Sequence, residues 1–177
     1  MSAYLLILVA VLSRIAVLPH LPWLNFTAVG GSLIFFGARR SLRQVILPVL
    51  LLAATDYYLT VYAYNYPFHV SAYLITWAWY AAVIVLGRVL LAKHVSAGRV
   101  GAAVLIAPSS FFLITNFAAW VGSPMYPQTC AGLGMSYVAG LPFYRNDLIS
   151  TALVAGLAFG LPVLARQLTT HRQTAGV

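Results

Sequence analysis

Acidic residues are almost missing from this chain. Its 177 residues include two, Asp56 and Asp147, against ten Lys and Arg. Acid/base catalysis by paired carboxylates therefore has little to work with. No HExxH, no GxSxG and no phosphate-cradling glycine loop before a basic helix offers another chemistry. Cysteine is represented by Cys130 alone, which excludes an intrachain disulfide and a cysteine-based zinc cluster. Charged residues of both signs make up 7% of the sequence and hydrophobic residues 62%, with a mean hydropathy of +0.91. A soluble fold of this length cannot hide so much apolar surface, so the expected surroundings are a lipid bilayer. The surplus cations include no basic run with interleaved aromatics, the pattern that tracks a phosphate backbone, so no nucleic-acid partner is expected.

What the chain does have is apolar length. Six segments separate at turn residues and charges: Tyr4 to Leu18, Trp23 to Gly37, Val45 to Tyr62, Val70 to Leu91, Val100 to Val121 and Leu148 to Leu164. A helix needs about 20 residues to cross a hydrocarbon core, and most of these segments meet that with flanking anchors, the second being short. The expected fold is all-α, a polytopic membrane bundle of about six transmembrane helices in one domain, residues 1–166, with a polar cytoplasmic tail at 167–177. The first segment lacks a basic region before it and a small-residue cleavage site after it, so it reads as a retained helix, not a signal sequence.

Arg39, Arg40, Arg43, Arg88, Lys93, Arg99, Arg166 and Arg172 fall on one side if all six segments span. By the positive-inside rule that side is cytoplasmic, with both termini there, and Arg145 is the loop cation left outside. A re-entrant second segment would keep the eight together and move only the N-terminus, so the count of six turns on that segment. The outer connection from Gly122 to Asp147 contains an apolar stretch, Thr129 to Ala139, too short to span. It is expected to be an interfacial helix or a lid over the bundle mouth.

Polar groups inside an apolar bundle are costly, which makes each one informative. Arg14 and Asp56 come at comparable depths by the ~1.5 Å helical rise, so they are expected to form an ion pair, either purely structural or also touching a ligand. Asn116 and Trp120 share a helix face and could point an amide and an indole into an outward cavity, the alternatives being an interhelical hydrogen bond and an interfacial anchor. Asn25 fits a helix cap as well as a ligand contact. The outer surface carries Tyr57, Tyr58, Tyr62, Tyr64, Tyr66 and Phe68, a belt at the lipid headgroups from which Tyr62 and Tyr66 are the candidates to stack on a planar ligand. His69 and Cys130 are isolated, so no metal site is assigned, and no cofactor is named. The stretch from Gly156 to Gly160 is a small-xxx-small motif that lets a second helix approach, within the bundle or between proteins.

Several runs together resemble a bacterial family of uncharacterised six-span membrane proteins. They are Asn25 to Gly31 leading into Phe35-Phe36-Gly37-Ala38-Arg39, Thr55-Asp56, Thr115 to Trp120, Met125 to Leu133, and Leu141 to Asn146. That family in turn resembles, in architecture and topology, the S-components of energy-coupling-factor vitamin transporters. The likeness implies six helices, both termini inside, and a ligand held near the outer face. It also implies a function as a substrate-binding subunit for uptake of a vitamin or other small molecule across the bacterial inner membrane, with a transporter coupling module as partner. Asn25, Asp56, Asn116, Trp120 and Tyr126 would line the pocket, with Tyr62 beside it. S-components often dock through an Ala-xxx-Ala face on their first helix. Ala3, Ala10 and Ala16 lack that spacing here, so a different partner or solitary transport also fits. The rival functions are an assembly subunit of a membrane complex, using the Gly156 and Gly160 face, and an enzyme acting on a lipid through Asp56 or Asp147.

Overall fold

A computed structural model describes residues 2–17 and 26–175, with side chains at 2–15 and 26–164. Six α-helices follow in order, and no strand occurs among the described residues. These are α1 (Ser2–Val17), α2 (Val29–Arg39), α3 (Ile46–Tyr58), α4 (Val70–Leu91), α5 (Ala97–Gly122) and α6 (Cys130–Ala175). A 3₁₀ turn, Leu42–Gln44, leads into α3, and a π turn, Leu59–Ala63, extends it. Four stretches are long and apolar enough to cross a membrane: Leu42–Ala63, Val70–Leu91, Ala97–Gly122 and Cys130–Leu164. Along them Leu50, Leu74, Val89, Leu105, Leu113 and Leu157 point outward, as suits a chain whose solvent is lipid. The apolar helices point to an integral membrane protein.

The expectation of about six crossing helices meets its test at α1 and α2, whose 16 and 11 residues are fewer than those of any of the four crossing stretches. α2 starts at Val29 and not at Trp23, and its 11 residues rise only about 16 Å, half of a ~30 Å hydrocarbon core. Yet it is the centre of the bundle. Every residue from Val29 to Ala38 is buried. Helices α1, α3, α4, α5 and α6 neighbour one another in that order, and α2 packs inside them against α1, α4, α5 and α6. Glycines make that crowding possible. A Cβ on Gly37 would collide with the backbone of Ile84, and one on Gly87 with the backbone of Ile34, so α2 and α4 cross with main chains in contact.

Ring contacts fix which ends lie together. Tyr4 meets Phe36 edge-on at 5.4 Å, and the Arg40 guanidinium lies 4.6 Å over the Tyr4 ring. Arg39 sits 5.5 Å from Phe35 and 6.0 Å from Phe159. The start of α1, the end of α2 and the late part of α6 therefore share one end, the basic end. The exposed Tyr57, Tyr58, Tyr62, Tyr64 and Tyr66 gather at the other, the aromatic end. There α3 finishes through the π turn, with Tyr64 N–H donating to Leu59 O and Tyr66 N–H to Thr60 O, both at 2.9 Å. Asn65 takes φ 56°, a left-handed conformation that its short polar side chain tolerates.

Because α2 begins in mid-bundle, its first N–H groups lack helical partners and need acceptors from their surroundings. Ser13 of α1 supplies an acceptor, taking the Ala28 N–H at 3.0 Å while donating to Ala10 O at 2.8 Å. Ser13→Ala should remove that cap at a cost of about 1 kcal/mol, lowering the thermal-unfolding midpoint in detergent by about 2–4 °C. A midpoint equal to wild type would mean that another group takes over the amide.

Helix α6 departs most from the sequence reading. The Thr129 to Ala139 stretch, expected as an interfacial helix or a lid, is from Cys130 onward continuous with the last apolar segment, so one helix extends through Pro142 and Pro162 and on through the polar residues to Ala175. Prolines are tolerated in such helices where neighbours relieve the freed carbonyls. Gly156 and Gly160 have nothing within 4 Å of where a Cβ would sit, so this small-residue face stays open instead of packing within the described bundle.

Candidate functional site

A cavity of about 480 Å³ lies beyond the N-terminus of α2, enclosed by α1, α3, α4, α5 and α6. It exists because α2 is short: the space that a full-length central helix would fill is left to side chains from the surrounding five. Those side chains are of three kinds.

The first is a charged cluster on the α1 and α3 side. Arg14 donates to Asp56 Oδ1 and, through Nη1, to Tyr80 Oη at 3.2 Å and Leu52 O at 3.4 Å. The other Asp56 oxygen accepts from Trp77 Nε1 at 2.9 Å and Tyr80 Oη at 3.4 Å. The Asp56 side chain is 3% exposed and both its oxygens are occupied, so this cluster behaves as a self-satisfied joint between α1, α3 and α4.

Aromatic and hydroxyl groups on the α3 and α4 side form the second. Thr60 Oγ1 donates to Asp56 O at 2.7 Å and lies 2.5 Å from Tyr73 Oη. Tyr73 stacks on Phe68 at 4.9 Å. Trp79 donates Nε1 to Ser110 Oγ at 3.1 Å and sets its ring 4.6 Å from Phe111.

The third is the seam between α5 and α6. Ser109 and Tyr144 hydroxyls are 3.0 Å apart, and the Phe112 ring lies 4.9 Å from Tyr144. Asn116 donates Nδ2 to Phe112 O at 2.8 Å, which leaves its amide oxygen as an acceptor. Gly140 faces this side chain, and a Cβ there would meet Asn116 Oδ1 at 2.5 Å. Below Tyr144 on the same wall comes Asp147, whose Oδ1 accepts from Thr151 at 3.4 Å.

Of the residues expected to bind, Asp56 and Asn116 line the cavity together. Asn25 lies outside the described residues. Tyr62 does not line the cavity: it is 64% exposed, with its ring against Tyr57 and Tyr58. Trp120 donates to Pro127 O at 2.9 Å and accepts from Gln128 Nε2 at its carbonyl, so it closes the α5–α6 connection, where Tyr126 also sits. Neither residue lines the cavity. The exposed Cys130 and His69 stand apart from it, and no group of three or more His, Cys, Asp or Glu among the described residues is placed to hold a metal. Sequence reasoning passed over Thr27, Tyr73, Phe111, Phe112 and Tyr144. A signal did exist for α5, since Pro108, Phe111, Phe112, Thr115 and Asn116 repeat at three- and four-residue spacing along one helix face.

Aromatic walls supply apolar contact, and a few fixed polar groups supply orientation. Comparison with known proteins finds a match over residues 1–173 to the model of a family of unknown function, DUF6580. No curated protein and no solved structure matches the chain.

Proposed function

We propose, from the premise that the chain belongs to DUF6580 and that this family is one of unknown function, that it is a membrane-embedded protein that captures a small organic molecule for uptake. The observation that carries the reading is the cavity of about 480 Å³, lined by aromatic rings with a small set of oriented polar groups. Small-molecule sites take this form, commonly at ~300–1,000 Å³. The positive-inside rule supports an orientation with the basic end in the cytoplasm of a bacterial cell, both termini inside and the cavity toward the outer face. All six helices then traverse the bundle, α2 as a buried half-length member. The sequence's resemblance to S-component-like subunits supports uptake of a vitamin or a comparable molecule as the reading. Ala3 and Ala10 are buried in the bundle, so a coupling partner would engage some other face.

Native mass spectrometry of the protein released gently from mild detergent tests the proposal. A bound small molecule is expected in the wild type and should be lost when Thr115→Trp fills the cavity. Asn116→Ala should weaken binding about tenfold by removing one hydrogen-bonding group while the bundle stays folded. No adduct, together with no thermal stabilisation by a panel of vitamins, would overturn it. The assembly-subunit reading is favoured by one observation, the open Gly156 and Gly160 face flanked by the exposed Leu153 and Leu157, and it requires a stoichiometric membrane partner that copurifies.

A further inference from the structure

We infer that the cavity accepts an organic cation and that Asp147 is its counter-charge. The inference rests on reading the cavity as a binding site and adds the chemical class of its ligand. It begins from an imbalance. The chain has two acids and ten Lys and Arg, yet both acids line this one cavity, and Arg14 is the one Lys or Arg among the lining residues. Arg14 is spent on Asp56, whose carboxylate oxygens are filled by Arg14, Trp77 and Tyr80. Among the described residues that is the ion pair present, so the charge left over in the cavity is the carboxylate of Asp147. The Thr151 hydroxyl donates to its Oδ1 at 3.4 Å, a long contact for a carboxylate in apolar surroundings.

The walls suit the same ligand. Two ring pairs line the cavity, Phe112 with Tyr144 at 4.9 Å and Trp79 with Phe111 at 4.6 Å, and aromatic rings are side chains that attract cations. The Asn116 amide oxygen adds an acceptor, with one of the two amide N–H groups committed to Phe112 O. A carboxylate, ring faces and acceptors together recognise an amine or a quaternary or heteroaromatic nitrogen. Among the described lining residues, an anion would meet the Asp147 carboxylate with no unpaired Lys or Arg to oppose it.

Three probes that share one ring separate charge from shape: benzyltrimethylammonium, benzyl alcohol and benzoate, titrated calorimetrically into the full chain in non-ionic detergent. The cation should bind about tenfold more tightly than the alcohol, with benzoate weakest. Asp147→Asn should remove that preference while leaving the alcohol unaffected, and Asp147→Glu should restore it. Thermal unfolding of both variants near the wild-type midpoint assigns the loss to charge and not to misfolding. If cation and alcohol bind equally, and both are lost in Thr115→Trp, the cation inference falls while the cavity remains a binding site. If no probe binds and native mass spectrometry finds no adduct, both readings fall.

Discussion

Replacing Arg14 by Met should destabilise the bundle by about 3–5 kcal/mol, because it strands the Asp56 carboxylate in the interior. The side chains of Arg14 and Asp56 are 15% and 3% exposed, so water offers little compensation. Trp77 and Tyr80 would still donate to the carboxylate, but two neutral donors do not balance a charge held away from water. The informative comparison is the double variant Arg14→Met with Asp56→Leu. Removing both charges and filling the space with apolar atoms should return most of the lost stability. Thermal or detergent-titrated unfolding of the three proteins checks this. If the double variant is as unstable as Arg14→Met alone, the joint between α1 and α3 depends on shape more than on charge.

A second large effect is expected where α2 and α4 cross. Gly37→Leu or Gly87→Leu would drive a side chain into backbone, since the nearest atoms are main-chain atoms of Ile84 and Ile34. Main chain in a helix cannot rotate aside as a side chain does, so the cost should exceed the ~1–3 kcal/mol of ordinary overpacking, and little folded protein should be recovered. Gly156→Ala is the control. Nothing lies within 4 Å of its Cβ position, and alanine is the better helix former by roughly 1 kcal/mol, so its unfolding midpoint should hold or rise. A tolerated Gly37→Leu would show that the two helices can separate without loss of the fold.

These two predictions also mark where sequence reading succeeded and where it stopped. Apolar length is a strong signal, and α4 occupies the span expected for it, Val70 to Leu91, because His69 before it and the cationic turn after it leave no doubtful residues. Depth counting from helix ends was enough to match Arg14 with Asp56, since a charge in an apolar segment has few possible partners. The role of α2 was not legible. Its short apolar stretch reads as weakness, whereas in three dimensions it is central, and only the packing of α4 and α6 around Gly30, Gly31 and Gly37 reveals that. For α6 the turn residues misled. Gly140, Leu141 and Pro142 punctuate a soluble chain, but a helix with no water to receive its carbonyls keeps going. The cavity lining suffered from both gaps. Asn116 was found from its polarity, but Phe111, Phe112 and Tyr144 look like any apolar helix face until the half-length of α2 shows that they border a space.

That half-length also decides what kind of passage the molecule can offer. Among the described residues the cavity lies toward the aromatic end of the bundle, while α2 sits toward the basic end with its main chain closely approaching that of α4. Beyond the cavity stand the buried residues Val29 to Ala38, a run of helix about 15 Å long. Under the proposed uptake function, onward movement of a bound solute therefore requires this buried segment to shift or the bundle to turn as a body in the bilayer.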